Sequence, residues 1–337
     1  MLWIEKYRPQ KLSEILGQEA ITTRLSSFVA KETLPHLLLS GSHGTGKTTT
    51  IECVANELYS GHAEENLTII ETGDMFQQGK RYLENKEKFS HIYEKDKALI
   101  WNFKKIVKEF SRLKPLDTEF KILVFEGAEK LPRDAQQALR RMMESTYKTC
   151  RFVFVTSNPS AIIPALSSRC LPFFFLPHND ETIIKVLLEI IDSESVPQNL
   201  LADGDTLPLI ARASNGDLRK AVLILEALFR GGSLDLLKLI SRKGIIIAES
   251  AFSAMMNNDY STARRKIETL MLEYGYSAQE VLQLVRRSIE LEYYDPHLIC
   301  LIADTDYRLC HANNEYIHMN DLVAHIARRF FNEKSAA

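Results

Sequence analysis

The stretch that most constrains this chain is Leu37-Leu38-Leu39-Ser40-Gly41-Ser42-His43-Gly44-Thr45-Gly46-Lys47-Thr48. Three consecutive leucines after Pro35-His36 predict a short strand buried on both faces. Gly41 to Thr48 matches Gly-x-x-x-x-Gly-Lys-Thr, and Thr48-Thr49-Thr50-Ile51-Glu52-Cys53-Val54-Ala55 opens as a helix. Strand, glycine loop and helix N-terminus together make a phosphate cradle from Gly41, Ser42, His43, Gly44, Thr45, Gly46, Lys47, Thr48 and Thr49. Backbone N–H groups converge on the anion and the helix dipole adds positive potential. Lys47 reaches the terminal phosphates and Thr48 offers a hydroxyl to magnesium. The stretch predicts a site for a nucleoside triphosphate, ATP, with Mg2+.

A chain of 337 residues is too long for one ordinary domain. Its formal net charge of -2 supplies no global basic field, so any nucleic-acid contact must come from a local patch. The five cysteines, Cys53, Cys150, Cys170, Cys300 and Cys310, include no Cys-x-x-Cys pair. That argues against a disulfide framework and a zinc site, and fits a reducing cytosol. No stretch approaches the roughly 18 apolar residues of a membrane span, and the N-terminus lacks an apolar signal core. The expectation is a cytoplasmic protein with no membrane partner.

Helical spacing runs from Gln18 to about Lys31, with Ile21, Leu25 and Phe28 on one face. Leu67–Glu71, Lys121–Phe125, Arg151–Thr156 and Leu171–Phe175 read as strands. Ala98–Lys114 is amphipathic: Ile100, Phe103, Ile106 or Val107, and Phe110 make the apolar stripe, while Lys104, Lys108 and Arg112 recur on another face. Asp134–Tyr147 is helical. Strands alternating with helices over residues 1–176 predict an α/β, mostly parallel sheet with helices on both faces. After Pro177 the strands stop. Three short helices predict a lid over 177–232, and an all-α pattern fills 233–337, with Gly231-Gly232-Ser233 as the linker. The Lys/Glu-rich segment 77–97 is expected to be mobile.

A P-loop ATPase needs an acid at the end of a neighbouring strand to hold magnesium, usually followed by a glutamate that activates water. Here Ile122–Phe125 ends in Glu126-Gly127-Ala128-Glu129. Glu126 stands where the magnesium-side acid is expected, and Gly127 where the base should be. Intrinsic hydrolysis should therefore be slow or absent. Asn158, after the next strand, either orients water and the γ-phosphate or makes an ordinary Asn-Pro turn. Arg169 and Arg219 are anonymous by themselves. The Lys104, Lys108 and Arg112 stripe suits phosphate tracking, and equally a solvated face.

In order, the chain carries Trp3-Ile4-Glu5-Lys6-Tyr7-Arg8-Pro9, the P-loop, the acidic strand end and Ala135-Gln136-Gln137-Ala138-Leu139-Arg140-Arg141-Met142-Met143-Glu144. Thr156-Ser157-Asn158, Ser167-Ser168-Arg169-Cys170 and Gly216-Asp217-Leu218-Arg219-Lys220 follow. The series resembles the small subunits of replication factor C, the AAA+ clamp loader, over nearly the whole chain. Leu270–Ser277 and Ala303–Leu309 look most like archaeal versions. The resemblance implies that Tyr7, Arg8 and Pro9 flank the adenine with Gln18 nearby. It implies that Asn158 is a first sensor, that Arg219 from the lid is a second, and that Arg169 is an arginine finger acting on the adjacent subunit's ATP. The C-terminal helices would form an oligomerising collar. Implied partners are other clamp-loader subunits, large and small, a sliding clamp and primer–template DNA gripped by Lys104, Lys108 and Arg112. The family's usual Asp-Glu-Ala-Asp is Glu126-Gly127-Ala128-Glu129 here, and its usual Asn-Ala-Ser-Asp segment is missing between Glu71 and Phe120. Both departures suggest a divergent second small subunit of a hetero-oligomer. The alternatives are a structural subunit whose P-loop only binds nucleotide, or another AAA+ DNA remodeller.

Overall fold

β1 (Leu37–Gly41), β2 (Leu67–Glu71), β3 (Lys121–Glu126), β4 (Cys150–Thr156) and β5 (Leu171–Phe175) form one parallel sheet in the order β2-β3-β4-β1-β5. The computed structural model describes residues 1–113, 118–194, 206–231, 234–292, 295–310, 312 and 314–336. Apolar residues alternate between the two faces of the inner strands with the period of two that a pleated strand imposes. Leu37 and Leu39, Ile122 and Val124, Val153 and Val155 pack toward the helices Glu19–Ala30 and Lys47–Tyr59. Leu38, Leu123, Phe125, Phe152 and Phe154 pack on the other face against the helices Leu99–Arg112 and Arg133–Ser145. Both faces are buried, which is why these strands read as continuous hydrophobic runs.

The segment expected to be mobile is instead built into the second of these cores. It folds as helices Thr72–Gln78, Lys80–Asn85 and Glu87–Ser90. Tyr82, Leu83 and Phe89 are buried with Phe103, Ile106 and Val107. The Tyr82 and Phe89 rings lie 6.3 Å apart, and Phe89 meets Phe110 edge-on at 5.7 Å. Its charge density hid three large apolar side chains spaced to cap the sheet, and their burial outweighs the solvated charges around them.

Helices Asp180–Glu194, Thr206–Ser214 and Leu218–Phe229 follow the sheet, the last capped by Asp217 Oδ1 accepting from Lys220 N at 2.9 Å. The chain divides into two compact units, Met1–Gly231 and Gly232–Ala337. Of the anticipated linker, Gly232 and Ser233 lie outside the described residues, as does Lys114 of the anticipated amphipathic helix. The second unit contains helices Leu234–Met256, Tyr260–Leu272, Ala278–Glu292, Pro296–Leu309 and Glu315–Ala336. Phe252, Met255, Ile267, Leu282, Leu298 and Val323 lie at its core. Among the described residues no helix is long and apolar enough to cross a membrane.

Candidate functional site

In an open parallel sheet, ligands bind beyond the carboxyl ends of the strands. Register brings the right residues there: β4 pairs with both β1 and β3, so Ser40 stands beside Thr156 and Glu126 beside Val155. A cleft of about 650 Å³ opens at this edge. Its floor holds His43, Gly44, Thr45, Gly46, Lys47, Thr48 and Thr49, with Glu126 and Glu129 to one side and Arg219 at the lid. Tyr7, Arg8 and Pro9 line the cleft too, together with Ile15, Leu16, Val186 and Val222. The lining thus combines charged and polar groups with apolar side chains, as a nucleotide's phosphates and base require.

Lys47 opens the P-loop helix and is only 8% exposed. Its Nζ donates to the carbonyls of Gly41 at 2.8 Å and Ser42 at 2.5 Å. Burial pulls its pKa below the usual lysine value, and the carboxylates of Glu129 and Glu126 pull it back up. A buried ammonium held by carbonyl dipoles is short of a counter-charge, which a phosphate supplies. Thr48 Oγ1 donates to Glu126 Oε1 at 2.9 Å. A hydroxyl and a carboxylate at this spacing are the hard oxygen donors that magnesium takes. The residues fit both ATP and Mg2+.

The N-terminal segment spans from lid to P-loop helix. Trp3 N donates to the buried Glu226 at 2.9 Å, and the Trp3 ring lies 5.0 Å from Phe229. Lys6 and Tyr7 both reach Glu194 Oε1, at 2.6 and 2.8 Å. Arg8 pairs with Glu52 of the P-loop helix at 2.6 Å. Leu218 N donates to Gly44 O at 3.3 Å, and a Cβ on Gly44 would overlap the Asp217 carboxylate at 1.7 Å. Only glycine lets the lid approach the phosphate loop this closely.

Several anticipated residues stand elsewhere. Gly41 and Ser42 act through the carbonyls that hold Lys47 rather than as cleft walls. Gln18 is buried and donates to Leu176 O at 2.8 Å, bracing the sheet-to-lid turn. Asn158 is exposed; its Oδ1 accepts from Ser160 N at 3.1 Å and caps the turn Pro159–Ala161. Of the two readings of Asn158, the structure displays the turn, and Ser157 takes the place on the cleft wall. Arg169 does not line the cleft; it pairs with Glu144.

Glu129 is the residue whose place was missed. Although burial opposes its charge, hydrogen bonds from Thr156 Oγ1 at 2.7 Å and from Ser157 Oγ and N at 3.2 and 3.4 Å hold its carboxyl below the usual range. The signal was its spacing: three residues after Glu126, a 3-10 turn at Ala128–Lys130 brings it back over the strand ends. Gly127 sits at φ +65°, ψ 42°, and Thr72 Oγ1 donates to both the Glu126 and Gly127 carbonyls. Gly127, at the position where a base was expected, thus sits in a left-handed turn that favours glycine.

Fold and cleft define a P-loop nucleotide-binding module with a helical lid, of AAA+ type. Family profiles match in series along the chain. "DNA polymerase III, delta subunit" covers residues 17–179, "RCF1/5-like, AAA+ ATPase lid domain" 185–230, and "Replication factor C C-terminal domain" 247–325. Proteins named replication factor C small subunit resemble it end to end. That of Methanococcus vannielii is 33% identical over 96% of this chain and 97% of its own. That of Thermoplasma volcanium is 33% identical over 97% of each. The chain belongs to the replication factor C small-subunit family. Among solved structures, the ORC1 protein of Aeropyrum pernix in complex with DNA aligns over 90% of this chain and 86% of its own. Its TM-score of 0.52 at 18% identity shows a shared fold.

Proposed function

We propose that this chain is an ATP-binding small subunit of a clamp-loader assembly, placing a sliding clamp on primer–template DNA. The observation that carries the reading is the division of the catalytic set: Lys47, Thr48 and Glu126 converge in the chain's own cleft while Arg169 stands outside it. A cation outside its own site is suited to a neighbour's, where it stabilises charge developing on the transferred phosphoryl group.

Within the cleft, Lys47 neutralises the terminal phosphates, and Arg219 reports on them to the lid. Tyr7, Arg8 and Pro9 enclose the base. Thr48 and Glu126 would hold a magnesium ion, which would supply positive charge to offset that of the phosphates. Because the N-terminal segment is bonded to the lid at Glu226 and Glu194 and to the P-loop helix at Glu52, filling the cleft draws lid and loop together. Coupled to neighbouring subunits, that closure is a switch.

The sheet, the lid over 177–232 and the collar over 233–337 are read as three functional parts, the collar holding large and small subunits together. The groove between helices Leu99–Arg112 and Arg133–Ser145 is read as the DNA track. Lys104, Lys108 and Arg112 line it, and Arg141 joins them from the facing helix. A second reading, a subunit that binds ATP without hydrolysing it, is favoured by the left-handed backbone at Gly127.

The test is ATP hydrolysis by the chain alone, then with its large and small partner subunits, with and without primed DNA. Hydrolysis that appears only in the mixture and rises with DNA supports the proposal. A rate unaffected by partners and DNA refutes it.

A further inference from the structure

Arg169 is held in place by its own chain. Its Nε and Nη2 both donate to Glu144 Oε1, at 2.9 and 2.6 Å, and its Nη1 donates to Ala165 O at 2.8 Å. A longer contact of 3.5 Å runs from Nη1 to Ser168 Oγ. Glu144 lies on the last turn of helix Arg133–Ser145, and Ala165 on the short helix Pro164–Ser167 just before Arg169. A guanidinium has five N–H donors in a rigid fork. Three are used at short range and the Ser168 Oγ contact engages Nη1 again, so the uncommitted donor is on Nη2. Since Nε and Nη2 share one acceptor, the carboxylate occupies the side of the fork and leaves the end of it for another ligand.

We propose that Glu144 is a positioning residue: it fixes the Arg169 guanidinium side-on so that its remaining Nη2–H is presented ready-made to the neighbouring subunit's ATP. This rests on the reading of Arg169 as acting in trans. The pair is half-exposed, with side chains 35% and 53% accessible, so as an ion pair it does little for stability. Its value is orientation. An arginine on a loop samples many rotamers, and each one frozen before the partner arrives is a cost not met in the transition state.

The proposal is tested in the assembly reconstituted with its partner subunits. Single-turnover ATP hydrolysis and ATP affinity are measured for wild type, Glu144→Ala, Arg169→Ala and the double variant. Glu144→Ala should slow hydrolysis about tenfold with ATP affinity unchanged, and should add less than twofold in the Arg169→Ala background. If Arg169→Ala slows hydrolysis and Glu144→Ala does not, Arg169 works without Glu144 and the proposal fails alone. An equal loss from Glu144→Ala in both backgrounds also overturns it, because Glu144 then acts by another route. If Arg169→Ala itself has no effect, the trans reading falls and takes this one with it. Should Glu144→Ala fold poorly, Glu144→Gln in the isolated chain decides. The Arg169 Nε–H proton should exchange with water several-fold faster in that variant than in wild type, and an unchanged rate overturns the proposal.

Discussion

Gly127 ties the proposed loss of a catalytic base to one backbone conformation. At φ +65° a side chain costs about 1 kcal/mol, yet a Cβ there would have only ordinary contact with Thr72 Oγ1 at 3.5 Å. There is room for a glutamate but not conformational ease. Gly127→Ala and Gly127→Glu should therefore both lower the melting temperature by a few degrees. Only the glutamate variant should raise hydrolysis in the assembly, and equal rates for the two would show that Gly127 does not limit it. His36 offers a second test. Its Nδ1 accepts from Phe152 N at 3.0 Å, and burial pushes its pKa down to about 4. The unfolded chain takes up that proton near pH 6.5, so it binds more protons than the folded one between these values. Stability is then fully present above pH 6.5 and is lost as pH falls toward 4, by on the order of 3 kcal/mol at most. In His36→Gln the acid limb of a melting-temperature profile should flatten; an unaltered profile would show that His36 does not set it.

At the scale of elements, the helix Leu99–Arg112 carries two faces with separate work. Phe103, Ile106 and Val107 are buried on the sheet, while Lys104, Lys108 and Arg112 line the groove facing Arg141. Lys104→Ala with Lys108→Ala should weaken DNA binding by the assembly regardless of sequence and lower its salt slope by about 2. Retention of the full slope would return these lysines to the solvated surface. The strands and the P-loop were legible because buried parallel strands and Gly-x-x-x-x-Gly-Lys-Thr leave dense local patterns. The helices between Thr72 and Ser90 were not, because Tyr82, Leu83 and Phe89 sit among lysines and glutamates and show their purpose only against Phe103 and Phe110. Long-range hydrogen bonds were equally invisible: nothing local links Trp3 to Glu226 or Arg169 to Glu144.

Over the whole molecule, the proposed function divides one catalytic set between subunits. The chain's own cleft brings together Lys47, Thr48, Glu126 and Arg219, proposed to hold the nucleotide, with Gly127 beside Glu126. Glu129, pinned by Thr156 and Ser157, puts a second carboxylate on the cleft wall. Arg169 and Glu144 pair with each other and do not line the cleft. Family membership was readable from motif order, since Trp3–Pro9, the P-loop and Ser167–Cys170 keep their sequence along the chain. The placement of Asn158 and Gln18 was less so, because Asn158 caps its own turn, Gln18 donates to the distant Leu176 O, and neither lines the cleft. Every role proposed for the assembly follows from the cleft being a nucleotide switch. Calorimetric titration of Mg2+ and ATP into the purified chain tests this directly. The prediction is one site per chain, with affinity lowered at least a hundredfold in Lys47→Ala; an absence of binding, or unchanged affinity in that variant, would contradict it.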